Sequence, residues 1–186
     1  MQAMQGKIIL TGFMATGKTT TGKAVARRLR WRFVDSDREI VARAGKPIPE
    51  IFSEDGEAHF RRLEREVIAE LAADPNPAVI ASGGGALLDD DNYRALSKAG
   101  VIVCLSARPE IISKRVRRSE QLRPKLMESK KPLDEAIAEL MAARSKAYAK
   151  AEITIDTSDL SIREVAERVL EAVAAARGTH RCARSA

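Results

Sequence analysis

Apolar positions along the chain follow two alternating rhythms. Short β-branched runs, KIIL at residues 7–10, RFV at 32–34, AVIAS at 78–82, VIVCL at 101–105 and EITID at 152–156, read as strands. Between them lie longer segments with apolar residues at three- and four-residue intervals, which predict helices at about Lys18–Arg30, Asp37–Ala44, Glu57–Ala73, Asp91–Ala99, Pro109–Arg118, Pro132–Ala149 and Ser161–Ala176. Several of these starts carry their own signals: DDDN ahead of Tyr93, Pro109 in a first-turn position, and Asp159 and Ser161 ahead of IREVAERVLEAV. Strand alternating with helix is the pattern of an α/β fold, a parallel sheet covered by helices on both faces.

One segment breaks the rhythm. SEQLRPKLMESKK, between Arg118 and Pro132, has no sustained apolar period, several charges and a proline, and predicts a long exposed loop. A loop of this length inside a compact domain is more often functional than idle, and it is read as a lid at 118–131. Residues 7–176 form the core of one domain, with frayed ends expected at residues 1–6 and in the tail at 177–186.

Composition narrows the classes. An apolar fraction of 45% with 31% charged residues is ordinary for a globular chain of 186 residues, and no apolar run approaches the ~20 residues of a membrane span. MQAMQGK lacks the charged-then-apolar order of a secretory signal, so a cytoplasmic protein is expected. Cys104, Cys182, His59 and His180 have no metal-like spacing, so neither a structural metal nor a disulfide is expected. A net charge of +6 raises nucleic acid as a partner, but with aromatics at 4% and the basic excess scattered over helix faces and the tail, a site for small anions is the simpler expectation. No apolar stripe is left over once the core is assigned, so a monomer that binds neither membrane nor nucleic acid is expected.

The chemistry begins at GFMATGKTT, residues 12–20, where a strand gives way to a helix. Gly12-x-x-x-x-Gly17-Lys18-Thr19 is the spacing of a loop whose inward N–H groups cradle phosphates. In such a loop Lys18 reaches the β- and γ-phosphates and the Thr19 hydroxyl ligates Mg²⁺; Gly12, Ala15, Thr16, Gly17, Lys18, Thr19 and Thr20 are the candidate nucleotide contacts. After the second strand, DSD places Asp35 and Asp37 at the carboxyl edge of the sheet, on one face if the extended conformation persists through Ser36. Asp35 is the candidate acidic partner of Mg²⁺, and Asp37 the group that takes or holds a substrate hydroxyl proton; the competing reading is a helix cap. Gly83, Gly84 and Gly85 end the third strand at the same edge, as a strained turn or as a wall against a small ligand. Arg61 and Arg144 are candidates to grip a carboxylate bidentately, whereas Arg62 reads as a solvated charge. Arg118 and Arg123 flank or lie in the lid, where they could neutralise charge on a transferring phosphoryl group.

Taken together, the glycine-lysine-threonine loop, DSD, FRRLE, GGG, RP in the lid and Arg144-x-x-x-Tyr148 resemble the shikimate kinases, in that family's order, from Lys7 to about Ala176. The resemblance implies a P-loop kinase fold of the nucleoside-monophosphate-kinase-like type, a three-layer α/β/α arrangement with a five-stranded parallel sheet, a substrate-binding helical region at about 37–62 and a mobile lid. It implies ATP-dependent phosphorylation of the 3-hydroxyl of shikimate, on the route to chorismate and the aromatic amino acids, with Mg²⁺. It further implies Lys18, Asp37 and Arg123 as catalytic residues, Thr19 and Asp35 at the metal, Asp37, Arg61, Gly83, Gly84, Gly85 and Arg144 around shikimate, and Arg118 on the nucleotide. The family commonly writes RPLL in the lid where this chain has RPKL, with Lys125 in an apolar position. Another small-metabolite kinase, such as a gluconate kinase, shares the loop and a lid, but DSD and GGG fit shikimate better. A nucleotide-dependent regulator without turnover is the alternative from another class; the Asn-Lys-x-Asp string of a GTPase switch does not occur.

Overall fold

The computed structural model describes residues 6–118 and 131–183. Five strands, β1 (Lys7–Thr11), β2 (Arg32–Asp35), β3 (Ala78–Ala81), β4 (Gly100–Ser106) and β5 (Ile153–Asp156), pair in parallel in the order β2-β3-β1-β4-β5. The helices are α1 (Lys18–Leu29), α2 (Ser36–Ala44), the single turn α3 (Ile48–Glu50), α4 (Gly56–Ala73), α5 (Asp90–Ala99), α6 (Pro109–Arg117), α7 (Leu133–Tyr148) and α8 (Ile162–Ala183). All five expected strands and seven expected helices are present.

Strand alternation sorts the core into layers. On β1, Ile8 and Leu10 face one way and pack with Val25 of α1 and Val165, Val169 and Val173 of α8. Ile9, between them, faces the other way, against Ile68 of α4, Leu96 of α5 and Ala147 of α7. The same division puts Val101, Val103 and Leu105 of β4 in the first layer and Ile102 in the second. Fully burying such an aliphatic side chain contributes about 1.5–3 kcal/mol, so the central strands are the stable part of the molecule. Two smaller clusters lie towards the carboxyl edge of the sheet: Ile40, Ile51, Phe60, Leu63 and Val67 join α2 to α4, and Phe13, Ala107, Ile112 and Ile137 join the loop after β1 to α6 and α7.

The helix boundaries follow from local chemistry. Asp89 caps α5, accepting from the N–H groups of Asp91 at 2.9 Å and Asn92 at 3.1 Å. Ser161 and Glu164 form a reciprocal capping box at the start of α8. Two boundaries differ from expectation. The helix expected to end at Ala176 continues to Ala183, so residues 177–183 carry on the α8 pattern rather than fraying. Asp35 is the last extended residue, at φ −113° and ψ 113°, and the chain turns into α2 at Ser36. Between α3 and α4, Ile51–Asp55 widen into a π-helical stretch, tied down by Lys46, whose ammonium lies 2.9 Å from Glu54 and 2.6 Å from Asp55. The expected substrate-binding region at 37–62 therefore comprises α2, α3, this stretch and the first turns of α4.

Candidate functional site

The phosphate-type loop lies where β1 meets α1. Gly17, at φ 93°, opens α1 from the left-handed region, and Ala15 shares that region at φ 59° despite its Cβ. At Gly12, at φ 128°, space adds to the backbone constraint, since a Cβ would run into the Leu105 carbonyl oxygen on the neighbouring strand. The Lys18 ammonium folds over the loop, 2.9 Å from the carbonyl oxygens of both Gly12 and Phe13. Thr16 and Thr20 use their hydroxyls within the turn, donating to Phe13 O at 2.8 Å and Gly17 O at 3.0 Å. Their side chains brace the loop from within.

The Thr19 hydroxyl donates to Asp35 Oδ2 at 2.8 Å, joining the first turn of α1 to the carboxyl end of β2. Asp35 occupies the cap position of α2 but makes no side-chain cap bond, so the capping alternative fails for it. A hydroxyl and a carboxylate oxygen this close are hard ligands suited to Mg²⁺, which takes few protein ligands and completes its shell with water and phosphate. Among the described residues no group of three or more His, Cys, Asp or Glu could hold a metal by itself. Asp37 reaches the site by a route the sequence did not suggest. Strand alternation does not carry it there, because the strand ends at Asp35; Asp37 projects from the first turn of α2.

The three glycines after β3 account for what surrounds them. A Cβ on Gly83 would come within 2.7 Å of Asp37 Oδ1 and 3.0 Å of Glu64 Oε1. On Gly84 it would stand 3.2 Å from Arg144 Nη1 and 3.3 Å from Gly12 O, and on Gly85 3.0 Å from Arg61 Nη1. Successive glycines thus leave room for an acid, an arginine and a second arginine. The turn is pinned by Ser36, whose hydroxyl accepts from Gly83 N–H at 3.0 Å, and by Tyr148, whose hydroxyl donates to Gly84 O at 2.7 Å. Burial pushes the Tyr148 phenol up to about 12, against the opposing charge of Arg144. Arg144 is only 8% exposed, lies 5.8 Å from the centre of the Phe13 ring, and has no carboxylate at ion-pair distance among the described residues. A buried guanidinium without an acidic partner suits an anionic ligand.

Arg61 bonds to Glu64 at 2.6 Å and Glu57 at 3.2 Å from the adjoining turns of α4. Glu64 was not singled out from the sequence, where it reads as one more charge in a charged helix. It is 1% exposed, and burial pushes its carboxyl up despite Arg61, with the nearby charges of Asp37 and Asp89 acting in the same direction as burial. Only its long-range burial behind Gly83 distinguishes it from the solvated acids of α4.

Of the remaining expected residues, Arg123 and lid residues 119–130 lie outside the described residues. Arg118 is exposed at the C-cap of α6 and makes no side-chain hydrogen bond among the described residues. One turn earlier, Arg115 does reach the loop, donating to Ala15 O at 3.2 Å. Arg62 pairs with Glu66 at 3.2 Å on the exposed side of α4, as a solvated charge should.

Comparison with known proteins identifies the family. The model of the shikimate kinase family matches residues 14–174. The shikimate kinase of Thermoanaerobacter pseudethanolicus is 44% identical over 165 residues, covering 89% of this chain and 94% of that one. That of Geobacter sulfurreducens is 45% identical over 162 residues, covering 87% of each. The structure of shikimate kinase from Acinetobacter baumannii in complex with shikimate superposes with a TM-score of 0.85 at 33% identity, over 93% of this chain and 95% of that one. A gluconokinase from Sinorhizobium meliloti, at 16% identity and a TM-score of 0.56, shares the fold alone.

Proposed function

The chain belongs to the shikimate kinase family, and from that premise we propose how this cleft carries out ATP-dependent phosphorylation of the 3-hydroxyl of shikimate to shikimate 3-phosphate. One observation carries the assignment of roles: the Gly83–Gly85 turn brings Asp37, Arg144 and Arg61 into one small space, and the same turn adjoins the Gly12 carbonyl of the phosphate loop.

The loop N–H groups and Lys18 hold the triphosphate, and the Lys18 ammonium, now on two loop carbonyls, is within reach of the β- and γ-phosphate oxygens. Thr19 and Asp35, whose side chains meet at 2.8 Å, would hold Mg²⁺, which would supply charge neutralisation on the phosphate oxygens. Arg61 and Arg144 hold the shikimate carboxylate, which provides the acidic partner that Arg144 lacks among the described residues. That grip turns the ring so that its 3-hydroxyl faces Asp37, held over Gly83, and the Asp37 carboxylate takes the hydroxyl proton as the oxygen bonds to phosphorus and the bond to the ADP oxygen breaks. No covalent enzyme intermediate is required. Catalysis comes from positioning two substrates in line and from neutralising charge with Lys18 and, from the lid, Arg123. The nearby Glu64 carboxylate holds Arg61 in place.

We further assign the protein to the cytoplasm as a monomer acting on small molecules, without nucleic-acid or membrane partners. Among the described residues no helix is long and apolar enough to cross a membrane. A coupled ADP-release assay with shikimate, quinate, gluconate or no acceptor tests the function. Turnover with shikimate alone is expected; equal turnover with gluconate would favour another metabolite kinase, and nucleotide binding without turnover would favour a regulator.

A further inference from the structure

We propose that Thr157 and Arg115 form a strut that sets the orientation of the phosphate-loop backbone, making both positioning residues for the triphosphate. The inference rests on the reading of residues 12–20 as a phosphate loop. Thr157 follows β5 and is 2% exposed; its N–H extends the β4–β5 ladder, donating to Ser106 O at 2.9 Å. Its hydroxyl lies 3.0 Å from Ser106 O and 3.3 Å from Thr16 O, and accepts from Arg115 Nη1 at 3.1 Å. Arg115 Nη2 donates to Thr157 O at 2.8 Å, while Nη1 also reaches Ala15 O at 3.2 Å. The pair thus meets two successive loop carbonyls, those of Ala15 and Thr16, from residues distant in the chain.

The consequence lies in peptide geometry. All peptide bonds among the described residues are trans, and in a planar trans peptide the C=O and N–H point in opposite directions. Holding the Ala15 carbonyl outward turns the Thr16 N–H inward, and drawing the Thr16 carbonyl towards Thr157 does the same for the Gly17 N–H. Those are two of the donors the loop offers to phosphate. The strut also offsets a local cost, because Ala15 sits in the left-handed region that disfavours a residue with a Cβ. Without these bonds the Ala15 peptide is free to flip, and the loop must be ordered at the moment of binding.

The test compares full-length wild type with Thr157→Val, Arg115→Met and Arg115→Lys. Calorimetry measures binding of magnesium tripolyphosphate, MgATP and adenosine; hydrogen exchange follows the Thr16 and Gly17 amides; shikimate binding and thermal unfolding report intact folding. Removing the Thr157 hydroxyl should weaken tripolyphosphate and MgATP alike, by about three- to tenfold, and removing the charge-assisted bonds of Arg115 by about tenfold or more; both changes should speed exchange at both amides and leave shikimate affinity within twofold. Arg115→Lys, able to reach one carbonyl, should recover part of the loss. Unchanged tripolyphosphate affinity in the variants, with only adenosine or ATP weakened, would overturn the strut and leave a base contact. Equal loss of shikimate binding would reduce the pair to general fold support and also overturn it; should Thr157→Val not fold, the partly exposed Arg115 variants decide the matter. A wild type that does not bind tripolyphosphate at all would instead overturn the phosphate-loop reading beneath it.

Discussion

Gly83→Ala is the smallest change that probes the proposed site without touching a reactive group. The backbone at Gly83 is outside the left-handed region, so alanine is conformationally permitted there and the effect is one of space. The added carbon would lie 2.7 Å from Asp37 Oδ1 and 3.0 Å from Glu64 Oε1. Carbon and oxygen normally rest ~3.3–3.6 Å apart, so the Asp37 carboxylate must move by about 0.6–0.9 Å and that of Glu64 by about 0.3–0.6 Å. Misplacing a reacting group by ~1 Å costs about 10²-fold in rate. We therefore expect kcat to fall by about ten- to a hundredfold, with the KM for ATP unchanged and thermal stability close to wild type. The assay is steady-state ADP release with saturating shikimate, alongside thermal unfolding. A Gly83→Ala enzyme with wild-type kcat would show that the Asp37 carboxylate does not need the position it occupies, and would refute the link between the triglycine turn and the chemistry.

Two further outcomes follow from neighbouring contacts. Arg61→Lys should raise the KM for shikimate by about tenfold while sparing kcat, because a point charge loses the bidentate grip of a guanidinium; equal KM values would place the shikimate carboxylate elsewhere. Tyr148 should make the fold sensitive to alkali. Its folded-state proton is held to about 12, against ~10 for an unfolded tyrosine, so its stabilisation is complete below pH 10 and is lost as pH rises from 10 towards 12, by about 3 kcal/mol in all. Urea unfolding at pH 8 and pH 11 should show a larger loss for wild type than for Tyr148→Phe; identical losses would contradict the burial argument.

What the sequence made legible was governed by how local the cause was. The loop at 12–20, the strands and the helix starts are short-range patterns, and they appear where periodicity and capping chemistry place them. The DSD and GGG strings point to a crowded strand edge, but the extended chain through Ser36 on which a shared face for Asp35 and Asp37 depends does not form: the Ser36 hydroxyl pins Gly83, and α2 begins there. Glu64, Arg115 and Thr157 were illegible for the same physical reason. Each owes its importance to burial or hydrogen bonds against residues far away in sequence, as with Arg115 and Ala15 or Thr157 and Thr16, and nothing in the charged stretches around them marks the partner. The length of α8 was missed differently, since Gly178 and the polar residues after it read as a helix end although the helix continues to Ala183.

The central claim, that Asp37 held over the triglycine turn takes the proton of the shikimate hydroxyl, is tested most directly by Asp37→Asn. Calorimetry should show that this variant still binds MgATP and shikimate, while its kcat for ADP release falls by about 10²-fold or more, the scale of a lost general base. An Asp37→Asn enzyme that binds both substrates and turns over at the wild-type rate would remove Asp37 from the chemistry and contradict the claim.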